Sequence, residues 1–369
     1  MNRRRWGMLL LAGLLLLPAS SCGKQGGSES SSNPGSASLP DESSVSAMAP
    51  AEPEPEPEHP YVNPLTGEGL DEDISDKRPV AVMFNNLKKA LPQIGISQAD
   101  VLYEIVAEGG ITRIMGVYQD LEGVGDLGSI RSARDYYVSL AAGHDAIYIH
   151  AGGSPQAYDA FDDWGITHID FVNGPYGSMC WRDPDRRKTA GFEHSLLTSS
   201  EKVLEQMPSR FRLEHEAGYQ VGWTFSDEAP AGGQKADCSL TVPFSNYKTG
   251  LFEYVRDDNQ YLVTQHIDGA DISCTDGADD SLLKVNSVLV LYTDVSRVKG
   301  DDKGRMEVRT TGTGDGLLLR DGQIYEITWQ RNKRTDNFSF LDQSGKAIPL
   351  AVGTSYINIV STSANVTWE

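Results

Sequence analysis

The sequence predicts an α+β fold, mixed and β-rich: a layered sheet/helix sandwich in the first half of the globular part and a mainly β second half. Three observations carry this. Between residues 79 and 165, short β-branched and aromatic runs alternate with two stretches of helical character. Two of those runs, in Val101 to Tyr118, flank Gly109-Gly110, a pair suited to the positive φ of a primed hairpin turn. Beyond residue 222, strand-length runs separated by Asp257-Asp258-Asn259, Asp321-Gly322 and Ser344-Gly345 dominate, and no long helical pattern interrupts them.

Residues 1–22 read as a secretion leader. Arg3, Arg4 and Arg5 precede an apolar run from Trp6 to Leu17 that is too short to anchor stably. Ala19-Ser20-Ser21-Cys22-Gly23 then has the form of a lipobox, small residues before a cysteine that is acylated. Acyl chains on Cys22 would tether the mature protein outside the cytoplasmic membrane. Residues 23–59 form an acidic Ser/Gly/Pro/Glu linker ending in alternating Glu and Pro. This composition buries too little apolar surface to fold and favours an extended spacer. A net charge of −20 argues against nucleic acid or anionic lipid as a nonspecific partner.

The remaining chain divides into an expected first domain, 60–222, and a second, 223–369. Cys180, Cys238 and Cys274 remain after the leader; Cys238 could pair with Cys274, or all three could stay reduced. No His/Cys set has zinc-ligand spacing, and Asp162, Asp163, His168 and Asp170 fit no defined metal loop. Neither metal nor cofactor is expected.

Pro79 to Phe84 opens the first domain as a strand, and the hairpin follows. With Gly109-Gly110 as a two-residue loop, Glu108 faces Ile111, Val106 faces Arg113 and Glu104 faces Met115. Arg113 then lies between Glu104 and Glu108 on one face, as an ion network or the wall of a cleft. Ser129 to Ala142 leads into a helix with Ser132 and Asp135 as a capping pair. Ala146 to His150 is a short strand. It runs into Gly152-Gly153-Ser154-Pro155 and a helix to Trp164, with Ser154 at the N-cap and Pro155 at the first helical position. A strand, glycine loop and helix start in succession is an arrangement that receives anions, and His150 stands at its edge. Arg131, Arg134, Arg182 and His194 are candidates to complete such a site, since arginine suits bidentate capture of carboxylate or phosphate. Arg186 and Lys188 read as a solvated loop. Thr198 and Glu201 form a capping box for a helix ending before Pro208.

The second domain reads as strands over Ser239–Phe244, Leu251–Arg256, Gln260–Gln265, Ser287–Tyr292, Gly316–Arg320, Gln323–Gln330 and Ser355–Val360, among others. Nothing in it names a reaction.

Several stretches together resemble the YerB-like family of bacterial lipoproteins, which pair N- and C-terminal domains of unknown function. They are Arg78 to Met83, Glu108 to Arg113, Arg131 to Arg134, Tyr148 to Ala157 and Trp181 to Asp183, with Gly314 to Gly316, Gly322 to Trp329 and Gly353 to Val360 further on. The resemblance implies a mixed α/β first domain and an extracytoplasmic lipoprotein, with no settled activity. Asn85 stands where the family usually has Asp, and Phe192-Glu193-His194-Ser195 replaces a Pro-His-Asn pattern, so only His194 carries over there.

The resulting expectation is a membrane-tethered protein that binds an anionic envelope ligand. Arg113, Arg131, Arg134, His150, Gly152, Gly153, Ser154, Arg182 and His194 are its candidate contacts. A cell-envelope hydrolase using Glu104 or Glu108 with His150, or a protein-docking module, is the alternative. Two carboxylates four residues apart on one strand face lie about 13 Å apart, beyond the roughly 5–9.5 Å of glycosidase pairs.

Overall fold

Most of the fold hangs on one mixed sheet of eleven strands, seen in a computed structural model that describes residues 59–207, 209–235 and 239–369. The expected leader with Cys22, the expected linker up to residue 58, and Cys238 lie outside the described residues.

Along the sheet, the order runs Gln234–Lys235, Gln323–Arg331, Gly312–Arg320, Ser287–Thr293, Ser355–Ser361, Val101–Val106, Thr112–Tyr118, Val80–Asn85, Ile147–His150 and His168–Asp170. Ser339–Leu341 pairs off Gln323–Arg331. Strands from either side of residue 222 therefore share one sheet, joined where Ser355–Ser361 runs parallel to Val101–Val106. The described residues, from 59 on, fall in one compact unit.

The central strands are buried on both faces, which is why they read as nearly unbroken apolar runs. Side-chain alternation splits each of them between two cores. Val80, Val82 and Phe84 face Leu240, Val242 and Phe252 of a second, antiparallel sheet. Ala81 and Met83 face Tyr137, Leu140 and Phe161 of the two longest helices among the described residues, Asp135–Gly143 and Pro155–Trp164. The fold is thus mixed and β-dominated, as the sequence predicts.

Helix-start chemistry is borne out at Ser154, whose Oγ accepts from Ala157 N–H at 3.1 Å ahead of Pro155. It differs elsewhere. The Asp135–Gly143 helix starts after Arg134 with no side-chain cap. Ser199, not Thr198, caps the helix Ser200–Gln206, because Thr198 Oγ1 donates to Met179 O instead. Cys274 is a buried free thiol that accepts a hydrogen bond from Gln265 Nε2 at 2.9 Å.

Candidate functional site

The hairpin forms, but its register is one residue away from the expected one. Ala107 N–H donates to Ile111 O, and the loop is Glu108-Gly109-Gly110, with Gly109 and Gly110 at φ of 69° and 78°. Ile105 therefore lies opposite Arg113 and Glu104 opposite Ile114. Because the side-chain period of a strand is two, a slip of one residue moves Arg113 to the opposite face from Glu104. Arg113 does not bridge the two carboxylates.

Glu104 points into the core between the sheets and is 1 % exposed. Its carboxylate accepts from Asn86 Nδ2 at 3.0 Å, Thr112 Oγ1 at 2.5 Å and Tyr356 Oη at 2.6 Å. The equally buried Lys248 Nζ lies 2.9 Å away, an ion contact without the alignment of a hydrogen bond. On the helix side, Arg113 meets Glu108 at 2.7 and 3.3 Å, and Arg134 donates to the same carboxylate through Nε at 3.0 Å and through Nη2. Burial would push the Glu108 carboxyl up, but the two guanidiniums outweigh it and hold it well below the usual carboxylate range. Arg113 and Arg134 are thus committed to Glu108 and are not free ligand contacts.

His150 is 0 % exposed, a correction to its expected place beside an open loop. Its ring stacks on Phe161 at 4.8 Å. Nδ1 donates to Gly152 O at 2.8 Å, which leaves Nε2 to accept from His168 Nδ1 at 2.9 Å. Burial, the largest cause, lowers this imidazole to about 4. The ring is a neutral core group that fixes the strand end.

The anion nest is largely filled by the protein itself. Asp170, at the end of the parallel strand next door, accepts from Gly152 N–H at 2.8 Å, Val172 N–H at 2.8 Å and Tyr158 Oη at 2.7 Å. Ser154 N–H goes to Ala133 O, and its hydroxyl caps the helix. An internal carboxylate thus takes one of the positions an incoming anion was expected to occupy.

Four of the expected residues do converge. Arg131, Arg182, Gly152 and Gly153 line one open cleft of about 330 Å³, together with Tyr158 and Phe192. Arg131 Nη2 pairs with Glu193 at 3.0 Å, and Glu193 is two-thirds exposed. Arg182 donates to Phe192 O at 2.6 Å and lies 3.7 Å over the Phe192 ring. His194 follows in sequence, accepting from Asn85 Nδ2 at 2.8 Å, so the Asn85 departure from the resembled family meets in space the one histidine that carries over. Arg186 is not solvated: it is half-buried and donates to Pro92 O at 3.0 Å and to His194 O at 3.4 Å. Asp170, Tyr158 and Phe192 carry no local signal for this site in the sequence, since each matters only through contacts between segments distant in the chain.

Two family models, described as the N-terminal and C-terminal domains of a protein of unknown function (DUF3048), match residues 65–216 and 240–357. A Bacillus subtilis (strain 168) protein named "Putative lipoprotein YerB" is 31 % identical over 300 residues, spanning 80 % of this chain and 85 % of its own. The chain belongs to the DUF3048 family. The crystal structure of YerB from Bacillus subtilis matches with a TM-score of 0.70 at 25 % identity, covering 83 % of this chain and 99 % of that one. DUF3048 thus joins the two matched stretches in a β-dominated fold, and this member is homologous to a protein named a lipoprotein. No helix among the described residues is long and apolar enough to cross a membrane.

Proposed function

We propose that this protein is held on the outer side of the cell membrane through acylated Cys22 and binds an anionic envelope ligand, bearing phosphate or carboxylate, in the Arg131–Arg182 cleft. The observation that carries the reading is the convergence of two guanidiniums with the Gly152-Gly153 main chain on one open concavity. Recognition there rests on the forked geometry of arginine rather than on a helix terminus, because Asp170 already takes the Gly152 amide. Glu193 pairs with Arg131 and would be displaced by the ligand. The hydrolase reading finds less support: Glu104 and His150 are enclosed and Glu108 is clamped by two arginines.

The test has two readouts. Cys22→Ser should move the protein from the membrane pellet to the soluble fraction; unchanged pelleting sinks the anchor. Phosphate and muropeptide carboxylates, titrated separately, should shift the Arg131 and Arg182 side-chain resonances, less so as salt rises. Arg131→Ala should weaken binding about tenfold or more, the worth of one charge-assisted hydrogen bond. Glu193→Gln should strengthen it. Absence of any shift with either anion overturns the site.

A further inference from the structure

Three neighbouring strands of the large sheet, Ser287–Thr293, Ser355–Ser361 and Val101–Val106, run parallel and end on the same side. In open sheets, ligands bind in the crevice outside the carboxyl ends of parallel strands. Such a crevice is present here. A pocket of about 490 Å³ opens beyond these strand ends, well separated in sequence from the arginine cleft, and is walled by Val106, Phe244, Val295, Met306 and Val360. Its volume and mostly apolar walls fit a small-molecule site.

Two cations and one carboxylate, Asp302, stand among its lining residues. Arg297 and Lys303 are both exposed. Lys303 is 3.4 Å from the exposed Asp302, whereas Arg297 has no ion pair among the described residues. The guanidinium of Arg297 lies against the main chain of Gly304, where a Cβ would come within 2.6 Å of its Nη2. Gly304 has a φ of 69°, so glycine both permits the turn and leaves room for the arginine. Across the pocket, the Gly109-Gly110 turn keeps the opposite wall low, with nothing within 4 Å of a Cβ built at Gly109.

We propose that this pocket binds an amphiphilic anion, its apolar body between Val106, Phe244 and Met306 and its phosphate or carboxylate head at Arg297 and Lys303. Apolar walls supply the burial and desolvate little polar surface. Arg297, without an ion pair among the described residues, together with Lys303 selects an anionic head over a neutral one.

The full-length protein is titrated, below micelle-forming concentrations, with dodecyl phosphate, dodecanoate, dodecyl maltoside and inorganic phosphate. One-to-one binding of dodecyl phosphate or dodecanoate is expected, and whichever binds tighter names the head group. Dodecyl maltoside and inorganic phosphate should bind at least tenfold more weakly. Arg297→Glu should weaken the anionic amphiphiles tenfold or more, and Met306→Trp, which fills the pocket, should abolish their binding. Lys303→Glu, at an exposed side chain, takes the place of Met306→Trp if that variant does not fold. Arg131→Ala should leave this binding unchanged, so failure here is distinct from failure at the arginine cleft. Equal affinity for the maltoside or for bare phosphate, or binding that survives the pocket variants, overturns the proposal.

Discussion

His150 illustrates how much of a residue's chemistry is decided by its surroundings. As a sequence position it is a histidine at a strand end beside glycines, a plausible acid or base. Enclosed by Phe161, His168 and the Gly152 carbonyl, it is held neutral, with burial lowering it to about 4 despite the opposing pull of Asp170. An unfolded histidine titrates near 6.5, so the folded value is the depressed one. The stabilisation from keeping the ring neutral is therefore complete above about pH 6.5 and is lost as pH falls towards 4. It amounts to about 3 kcal/mol. A side-chain NMR titration should place the His150 midpoint near 4; a midpoint near 6.5 would put the ring in water. His144, lowered by burial to about 3, adds to the same acid sensitivity.

At the scale of an element, the hairpin shows both the reach and the limit of local reading. Its two strands and its Gly-Gly turn are legible, because apolar runs and positive-φ glycines are properties of neighbouring residues. Its register is not, because Glu108 joins the glycines in a three-residue turn. That one residue decides that Arg113 meets Glu108 with Arg134 while Glu104 meets Lys248. Glu108→Ala would leave two buried guanidiniums without a counter-charge, which costs about 3–5 kcal/mol. Glu193→Ala, removing an exposed partner of Arg131, should cost no more than about 1 kcal/mol. Urea midpoints compare the two, and equal small shifts would contradict the enclosed clamp. Since the Glu108 carboxyl is held low, its stabilisation is present above the unfolded value near 4.3 and is lost as pH falls below it.

Across the whole molecule, the two family-matched stretches lean on one another. Ser355–Ser361 covers the edge of Val101–Val106, and the sheet beginning at Ser239 covers the face carrying Val80, Val82 and Phe84. Tyr356 reaches Glu104 from 252 residues away. A fragment of residues 59–222 would expose the edge of a strand that is buried along its whole length, and half of a core. It should give poorly dispersed amide spectra and no cooperative unfolding transition. A cooperative transition in that fragment would show that the first stretch is a domain in its own right.

By itself, the sequence determined the leader and linker as expectations, the family resemblance, the existence and type of most elements, and the Ser154-Pro155 helix start. Each depends on composition or on residues within a turn of one another. It also named Arg131, Arg182, Gly152 and Gly153 as candidate contacts, without showing that they line one cleft. Only the tertiary structure decided which charges are spent inside. Asp170 reaches the Gly152 amide because their strands pair in parallel, and Lys248 reaches Glu104 because a second sheet packs on the first. The pocket beyond three parallel strand ends is of the same kind. Parallel pairing joins segments far apart in the chain, and side-chain periodicity carries no information about which distant strand will lie alongside.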